Sequence, residues 1–410
     1  MKYVIIGNSA AAVGCVEGIR SLDKEGSITI IAKEPYHTYS RPLISYLLYG
    51  KTDRERMKYR PDSFYQDMGV ETFLGKEAVH IDAEEKQVAL DSGESVPYDK
   101  LLVATGSKPF VPPMEGLDSV EKKFSFMSLD DALALEAAIT PESRVLIVGA
   151  GLIGLKCAEG IADRVGSITV VDLADRILPS ILDEAGAQLV QRHIEQKGIQ
   201  FLLSDSVKQF EHGKAILQSG KTVPYDIVVI AVGVRPNSEL VELAGGAVDR
   251  GIQADTLCRT SLPDVWAAGD CAKSLDVSTG QQRILALLPN AYMQGECAGI
   301  NMAGGEKVYD NAIPMNAIGF FGLHMITAGS YDGEAYVVQT DNSYKKLVTS
   351  GGVLKGYVLI GDVARAGIYT AMVRERTQLA QVDFDLLKEK PQLMAFAREE
   401  RAKKLGGVRV

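Results

Sequence analysis

The chain has 410 residues, 46% of them apolar, and a formal net charge of −9. It is long enough for roughly two or three domains with substantial cores, and its acidity makes nucleic acid an unexpected partner. No run reaches the about 18 consecutive apolar residues that cross a bilayer, and Met1-Lys2 leads straight into a strand-like segment. The expectation is a soluble, cytoplasmic protein with no membrane partner.

The run Lys2-Tyr-Val-Ile-Ile crowds β-branched residues and stops at Gly7, predicting a strand that turns into a helix over Gly7-Asn-Ser-Ala-Ala-Ala12. In a βαβ nucleotide unit the first glycine makes the tight turn, the second lets the backbone approach the pyrophosphate, and the third lets helix pack on strand. Gly7 keeps the first place, Ser9 takes the second and Ala12 the third, so Gly7, Ser9, Ala10 and Ala11 are candidate contacts. After the strand Ser27-Ile-Thr-Ile-Ile, Glu34 arrives 27 positions past Gly7, near the distance at which a carboxylate meets the adenosine ribose. A solvated loop charge is the alternative reading.

The pattern recurs intact further on. Arg144-Val-Leu-Ile-Val leads into Gly149-Ala-Gly151-Leu152-Ile153-Gly154, and the strand Ser167-Ile-Thr-Val-Val ends at Asp172, 23 positions beyond Gly149. A carboxylate there accepts from a free ribose 2′-hydroxyl and repels a 2′-phosphate, which favours NADH over NADPH. Arg176 close by softens that preference.

Ala104-Thr105-Gly106 and Val232-Gly233 each end an apolar run at a glycine, as a chain does on leaving a buried strand for another domain; an ordinary strand-to-loop exit is the alternative. Ser107-Lys-Pro-Phe-Val-Pro-Pro113 and Val234-Arg-Pro-Asn237 carry linker signals. Gly269 before Asp270 lets backbone close on a ligand, and Asp270 reads equally as a helix N-cap. Leu288-Pro289-Asn-Ala-Tyr292 reads as a helix start. Strand and helix alternate, hence an α/β class. From about residue 306, runs such as Glu334-Ala-Tyr-Val-Val, Tyr344-Lys-Lys-Leu-Val and Gly356-Tyr-Val-Leu-Ile360 predict antiparallel strands, followed by a helix with Arg365, Arg374 and Arg376 and a charged helical tail from Leu386 to Lys404. Lys345, Lys346, Lys355 and those arginines read either as a basic patch suited to an acidic redox protein or as scattered surface charge.

Cys15, Cys157, Cys258, Cys271 and Cys297 contain no CxxC or CxxxxC pair, so no sequence-adjacent disulfide relay is expected. With five histidines they show no zinc or iron–sulfur spacing either, and no metal is expected.

Three segments, Tyr98-Asp-Lys-Leu-Leu-Val-Ala-Thr-Gly106, Tyr225-Asp-Ile-Val-Val-Ile-Ala-Val-Gly-Val-Arg-Pro-Asn237 and Thr260-Ser-Leu-Pro-Asp-Val-Trp-Ala-Ala-Gly-Asp270, resemble those of the pyridine nucleotide-disulfide oxidoreductase superfamily of two-dinucleotide flavoproteins. With both fingerprints they cover Met1 to about residue 305. The resemblance implies a glutathione reductase-like fold: a discontinuous FAD domain (1–108 and 233–305), an inserted NAD domain (109–232), and a small α+β C-terminal domain (306–410) that covers the flavin and allows a homodimer. It implies FAD at Gly7, Ser9, Ala10, Ala11, Glu34, Arg41, Pro42, Val79, Ala104, Thr105, Gly106, Gly269, Asp270 and Pro289. It implies NAD(H) at Gly149, Gly151, Leu152, Ile153, Gly154, Asp172 and Gly233. Asp270 would hold a ribityl hydroxyl, and the helix at Pro289 would aim its positive end at the flavin pyrimidine.

The stretch from Glu34 to Tyr46 is similar to one in rubredoxin reductases, in FAD domains of assimilatory nitrite reductases and in FAD-NAD oxidoreductases accompanying carbon monoxide dehydrogenase, whose arginine and proline, here Arg41 and Pro42, contact FAD. Many relatives carry a lysine near the flavin and a glutamate in the NAD helix; this chain has Tyr46 and Lys156 at the matching places. Relatives with a single redox cysteine place it early in the first domain, where this chain has Leu43, Ile44 and Ser45. The function implied is an NADH-dependent FAD oxidoreductase passing electrons to rubredoxin, a ferredoxin or an iron–sulfur subunit, with no side-chain acid or base assigned to the hydride step. The alternatives are a peroxide-forming NADH oxidase and an NADH-responsive redox-sensing module.

Overall fold

The computed structural model describes residues 1–406. Residues 407–410 of the expected C-terminal domain lie outside them. The α-helices among the described residues are α1 (Ala10–Leu22), α2 (Ile44–Leu48), α3 (Phe64–Asp67), α4 (Leu129–Ala138), α5 (Leu152–Ile161), α6 (Glu184–Glu195), α7 (Glu239–Leu243), α8 (Leu288–Met302), α9 (Ala366–Glu375), α10 (Phe384–Glu389) and α11 (Arg398–Leu405). The chain divides into two compact units, the first formed by Met1–Ile177, Lys197–Leu275 and Gln282–Asp310.

That first unit holds two five-stranded parallel sheets, and the expected α/β class is what the structure shows. One sheet runs in the order Val265–Ala267, Lys100–Val103, Lys2–Ile6, Ser27–Ala32, Val70–Leu74, with Ile5 level with Ile30 on one side and Leu102 on the other. The other runs Ile199–Leu203, Ser167–Asp172, Arg144–Val148, Ile227–Ile230, Lys123–Phe124. Near-continuous Val, Ile and Leu suits strands covered on both faces, and Ile5, Ile30, Leu102, Ile147 and Val229 are fully buried. Short strands Ser107–Pro109 and Val234–Pro236 pair antiparallel, so the two linker-like segments run side by side.

Helices α1 and α8 approach until their backbones touch. Gly14 and Gly18 on α1 lie against the α8 backbone around Glu296, and Gly295 and Gly299 on α8 against the α1 backbone at Ala11 and Cys15; an added Cβ would lie 2.9 Å from the Glu296 nitrogen at Gly14 and 2.7 Å from the Ala11 carbonyl carbon at Gly295. The two helices therefore fix each other's N-terminal ends, which begin at Ala10 and Leu288, far apart in sequence.

The second unit comprises Leu178–Gln196, Asp276–Gln281 and the chain from Asn311 on. Its antiparallel sheet runs Met315–Phe320, Leu323–Gly329, Val353–Ile360, Tyr344–Ser350, Glu334–Gln339, and Tyr357, Tyr369, Leu347 and Leu387 build its core. Asp183 caps α6 by accepting from the Gly186 N–H at 3.1 Å, and also takes hydrogen bonds from the Tyr344 hydroxyl (2.7 Å) and the Lys346 ammonium (2.8 Å). One expectation needs correction here. The tail is not one helix from Leu386 to Lys404: α10 stops before Pro391, which lacks an N–H and pushes its predecessor out of helical geometry. Lys346 pairs with Asp183, Lys345 donates to the carbonyls of Lys388 (3.1 Å) and Glu389 (2.7 Å), and Lys355 donates to that of Ser278 (3.3 Å).

Candidate active site

Gly7 has φ +123°, and a Cβ there would fall 2.8 Å from the Ala104 carbonyl carbon. Only glycine fits, and the contact lays the first fingerprint against Ala104-Thr105-Gly106. Ser9 is the N-cap of α1 but makes no side-chain cap bond, so the first N–H groups of α1, from Ala10 and Ala11 on, remain for an anion. Gly269, at φ +84°, sits between α1 and α8: a Cβ would touch Ala11 at 3.3 Å and Ala291 at 3.6 Å, and its N–H donates to Gln294 Oε1 at 2.9 Å. Thr105 and Gly106 are clamped to Asn237. The Thr105 hydroxyl donates to the Asn237 carbonyl (2.6 Å), while the Asn237 amide and N–H donate to the carbonyls of Thr105 and Gly106 (both 2.9 Å).

Burial pushes the Asp270 carboxyl above its ordinary range; the Ser107 hydroxyl, donating at 3.4 Å, and the Arg41 charge offset this in part. Glu34 accepts from the Tyr39 hydroxyl at 2.6 Å and pairs with Arg41, whose guanidinium also lies 5.4 Å over the Tyr39 ring. Tyr39 in turn accepts from the Leu129 N–H, in the first turn of α4, at 3.0 Å. Pro42 continues the same short turn as Arg41. Pro289 occupies the first turn of α8, whose N-cap Leu287 provides no side-chain cap. Gly7, Ser9, Ala10, Ala11, Glu34, Arg41, Ala104 to Gly106, Gly269 and Asp270 are thus joined by a web of contacts. Val79 stands on a separate three-stranded sheet, half-exposed, where the pairing skips a residue between Ala78 and His80.

The second cradle follows the same physics. Gly149, at φ +116°, would place a Cβ 2.6 Å from the Ala231 carbonyl carbon, and Gly154 packs on Gly149 so closely that no side chain fits. At Gly151, by contrast, a Cβ would meet nothing within 4 Å; this is the open side of the cradle. Leu152 and Ile153 form the first turn of α5, with Gly151 as an uncapped N-cap. Gly233, at φ +127°, lies two residues beyond Ala231. Asp172 Oδ2 accepts from the Ala150 N–H at 2.6 Å and Oδ1 from the Ala174 N–H at 2.8 Å, so the acid is aimed at the fingerprint by backbone donors. Arg176 ion-pairs with Asp175 at 2.7 Å.

Where α5 meets α2, a Cβ on Gly160 would sit 3.0 Å from the Ser45 carbonyl. Lys156 is partly buried there, paired with the buried Glu159, its ammonium 4.4 Å over the Tyr46 ring. The charge comes from α5 and rests on α2. Sequence reasoning missed Tyr39, Gln294 and Asn8, the last of which accepts from the Tyr65 hydroxyl at 2.9 Å; Tyr39 and Asn8 lie inside quoted segments, but nothing local marks Gln294.

The residues fit dinucleotides: uncapped helix N-termini behind glycine turns for two pyrophosphates, and an acid at each second strand for two riboses. Among the described residues no group of side chains could hold a metal ion, and no helix is long and apolar enough to cross a membrane.

Fold and cradles together define a flavin- and nicotinamide-dependent oxidoreductase. Residues 1–295 match the pyridine nucleotide-disulphide oxidoreductase family, and the chain belongs to it; its cofactors are FAD and NAD(H). It is 31% identical to the NADH-dependent phenylglyoxylate dehydrogenase subunit epsilon of Aromatoleum evansii, over 92% of each chain. It is 30% identical to the ferredoxin–NAD(+) reductase component of the 3-phenylpropionate/cinnamic acid dioxygenase of Photorhabdus laumondii, over 88% of this chain and 92% of that one. Among solved structures, the ferredoxin reductase for the CYP199A2 system of Rhodopseudomonas palustris superposes with a TM-score of 0.86 at 25% identity, covering 95% of this chain and all of the other.

Proposed function

We propose that this protein is a cytoplasmic reductase that takes hydride from NADH onto FAD and passes the electrons on to a small iron–sulfur or rubredoxin-type carrier. The observation that carries this reading is the absence of a sequence-adjacent thiol relay beside two nucleotide cradles, the first with Ser9 and Ala12 at its second and third places. The place where single-cysteine relatives carry their thiol holds Leu43, Ile44 and Ser45, and all five cysteines are buried and free. Electrons then have to leave from the flavin itself, which suits a reductase like the relative named as a ferredoxin–NAD(+) reductase component.

FAD, when bound, supplies the hydride acceptor and the means to release electrons singly. The chain supplies position and charge. The first turn of α1, with Gly7, Ser9, Ala10 and Ala11, holds its pyrophosphate, and Glu34, held by Tyr39, takes the adenosine ribose. Arg41, Pro42, Val79, Ala104, Thr105, Gly106, Gly269 and Asp270 complete that site. The uncapped start of α8 at Pro289 offers N–H groups to negative charge. Gly149, Gly151, Leu152, Ile153, Gly154 and Gly233 hold NADH, with Asp172 on its ribose. No proton transfer by a side chain is required, so rate depends on orientation.

Anaerobic stopped-flow with NADH tests the reading, followed by mixing with oxidised rubredoxin, a ferredoxin or air. Fast bleaching of the flavin band, with fast return only on adding an iron protein, is expected. Fast return with air alone would replace the carrier reading with a peroxide-forming NADH oxidase, and no bleaching would remove the nicotinamide assignment.

A further inference from the structure

A buried amide closes the turn that carries Asp270. Past the strand Val265–Ala267 the chain bends through Gly269, Asp270, Cys271, Ala272 and Lys273, and the Ala272 N–H donates to the Gly269 carbonyl at 2.9 Å. The Gln294 side chain spans the two ends of this turn: its Oε1 accepts from the Gly269 N–H at 2.9 Å, and its amide nitrogen donates to the Lys273 carbonyl at 3.2 Å. Gln294 stands in the second turn of α8, between the buried Ala291 and Gly295, and is itself 4% exposed.

That placement is chemically selective. A polar side chain is costly to bury unless its groups are bonded, and here one end has to accept while the other donates. A carboxamide does both, whereas a carboxylate lacks the proton for the Lys273 carbonyl and an ammonium lacks the lone pair for the Gly269 N–H. The Asp270 carboxyl is met by the Ser107 hydroxyl only at a long 3.4 Å, so where it sits follows from the backbone of the turn. That backbone is tied to its surroundings on several sides. The Ala268 N–H and the Cys271 thiol donate to the Val103 carbonyl (3.1 and 3.5 Å), and the Lys273 N–H donates to that of Ile252 (2.9 Å). Gln294 ties it to α8, whose first turn holds Pro289 and has no side-chain cap.

We propose that Gln294 is a positioning residue for FAD: its amide fixes the Asp270 carboxyl relative to the first turn of α8, so that both meet the cofactor in register. The inference rests on the assignment of Asp270 and the Pro289 end of α8 to the FAD site. Contacts of this kind hold only within about 0.5 Å of their working geometry, and a hydrogen-bonded amide between a helix and a closed turn gives that precision. Without it the buried Gly269 N–H and the Lys273 carbonyl lose a partner, the turn relaxes away from α8, and Asp270 leaves the place from which it holds the ribityl chain. Gln294 acts through Asp270 and adds no group to the redox chemistry.

The test is the rate of FAD release from the holoenzyme, read as flavin in the filtrate after dilution. Gln294→Met removes both hydrogen bonds at nearly constant volume and should speed release about tenfold. Asp270→Ala should speed it as well, and the double variant should release FAD no more than about twofold faster than Asp270→Ala alone. Release from Gln294→Met at the wild-type rate, or two effects that multiply in the double variant, overturns the proposal and leaves Asp270 at the cofactor. Wild-type release from Asp270→Ala instead removes Asp270 from the FAD site and overturns the proposal together with that assignment. Gln294→Glu adds a pH profile that a packing role would not give. Its neutral carboxyl can accept from Gly269 and donate to Lys273, its carboxylate can only accept, and burial keeps it neutral to higher pH. Its release rate relative to the wild type should therefore fall about tenfold, toward equality, between about pH 8 and 5. Asp270, Cys271, Lys273 with its partner Asp249, and Cys258, whose thiol donates to the Gln294 carbonyl, are common to both proteins, so the ratio reports position 294. A ratio that stays flat with pH overturns the proposal. None of these readouts uses NADH or a carrier, so they stand apart from the outcome of the stopped-flow test.

Discussion

Replacing Gly295 by alanine should loosen the enzyme's grip on FAD from the far side of α8. The new Cβ would sit 2.7 Å from the Ala11 carbonyl carbon and 2.8 Å from its Cα, with the carbonyl oxygen closer still, whereas ordinary contact begins at 3.4 Å. Both neighbours are backbone and cannot swing away, so α1 and α8 must separate by about 1 Å, at a cost of about 1–3 kcal/mol for overpacking. Ala11 belongs to the first turn of α1, and the displacement therefore opens the pyrophosphate cradle as well as the core. If about 1.4 kcal/mol of the strain is relieved on losing the cofactor, FAD binds about tenfold more weakly. FAD titration of the apoprotein, followed by flavin fluorescence, with thermal melts of both forms, measures the two effects. A G295A protein that binds FAD as the wild type does and melts at the same temperature would refute the backbone contact between α1 and α8.

Gly151→Ala makes the opposite case. Its Cβ meets no protein atom within 4 Å, so melting and FAD content should be unchanged, while NADH reduces the flavin with a KM raised about tenfold as the methyl enters the pyrophosphate's path; an unchanged KM would place NADH elsewhere. Asp172→Asn keeps one acceptor for the Ala150 and Ala174 N–H groups but removes the charge that repels a 2′-phosphate. The ratio of kcat/KM for NADH over NADPH should fall about tenfold, and a constant ratio would assign the preference to other residues. Lys156→Met strips Glu159 of its lysine in a buried setting and should cost about 3 kcal/mol, of which Lys156→Met with Glu159→Gln should recover most; denaturant midpoints that fall equally in both variants would show that the pair is not coupled. The Arg144 guanidinium and backbone N–H hold the Asp226 carboxyl down at about 2, from an ordinary 3.8. A depressed carboxylate stabilises the fold above the ordinary value and loses that contribution as pH falls through about 2. Because both groups are largely exposed, Arg144→Met should lower the urea midpoint only slightly at pH 7 and by still less as pH falls below about 2, and midpoints that differ equally at both ends would contradict the assignment.

The fingerprints were legible because their chemistry is local. A glycine turn behind an apolar strand, opening a helix, is specified within a dozen or so residues, and the acid at the end of the next strand follows from the length of one βαβ unit. Gly7, Gly149, Gly154, Glu34 and Asp172 could be placed from spacing alone, and the structure puts each at the turn or strand end that the spacing required. The partners of Lys345, Lys346 and Lys355 were not legible, because charge in a sequence carries no information about acceptors: Asp183 and the Lys388, Glu389 and Ser278 carbonyls reach the three lysines only once the second unit folds. The tail failed for a local reason that was visible, Pro391.

By itself, then, the sequence determined two parallel nucleotide units, the order of their glycines and acids, and the lack of an adjacent redox cysteine pair, since all of these are set by backbone geometry over short stretches. Only the tertiary structure decided that α1 and α8 meet through four glycines, that Tyr39 steadies Glu34 from an edge no periodicity marks, and that Lys156 lies over Tyr46. Each of these is a contact between segments far apart in the chain, and such contacts arise from how helices and sheets pack, a property that no single segment carries.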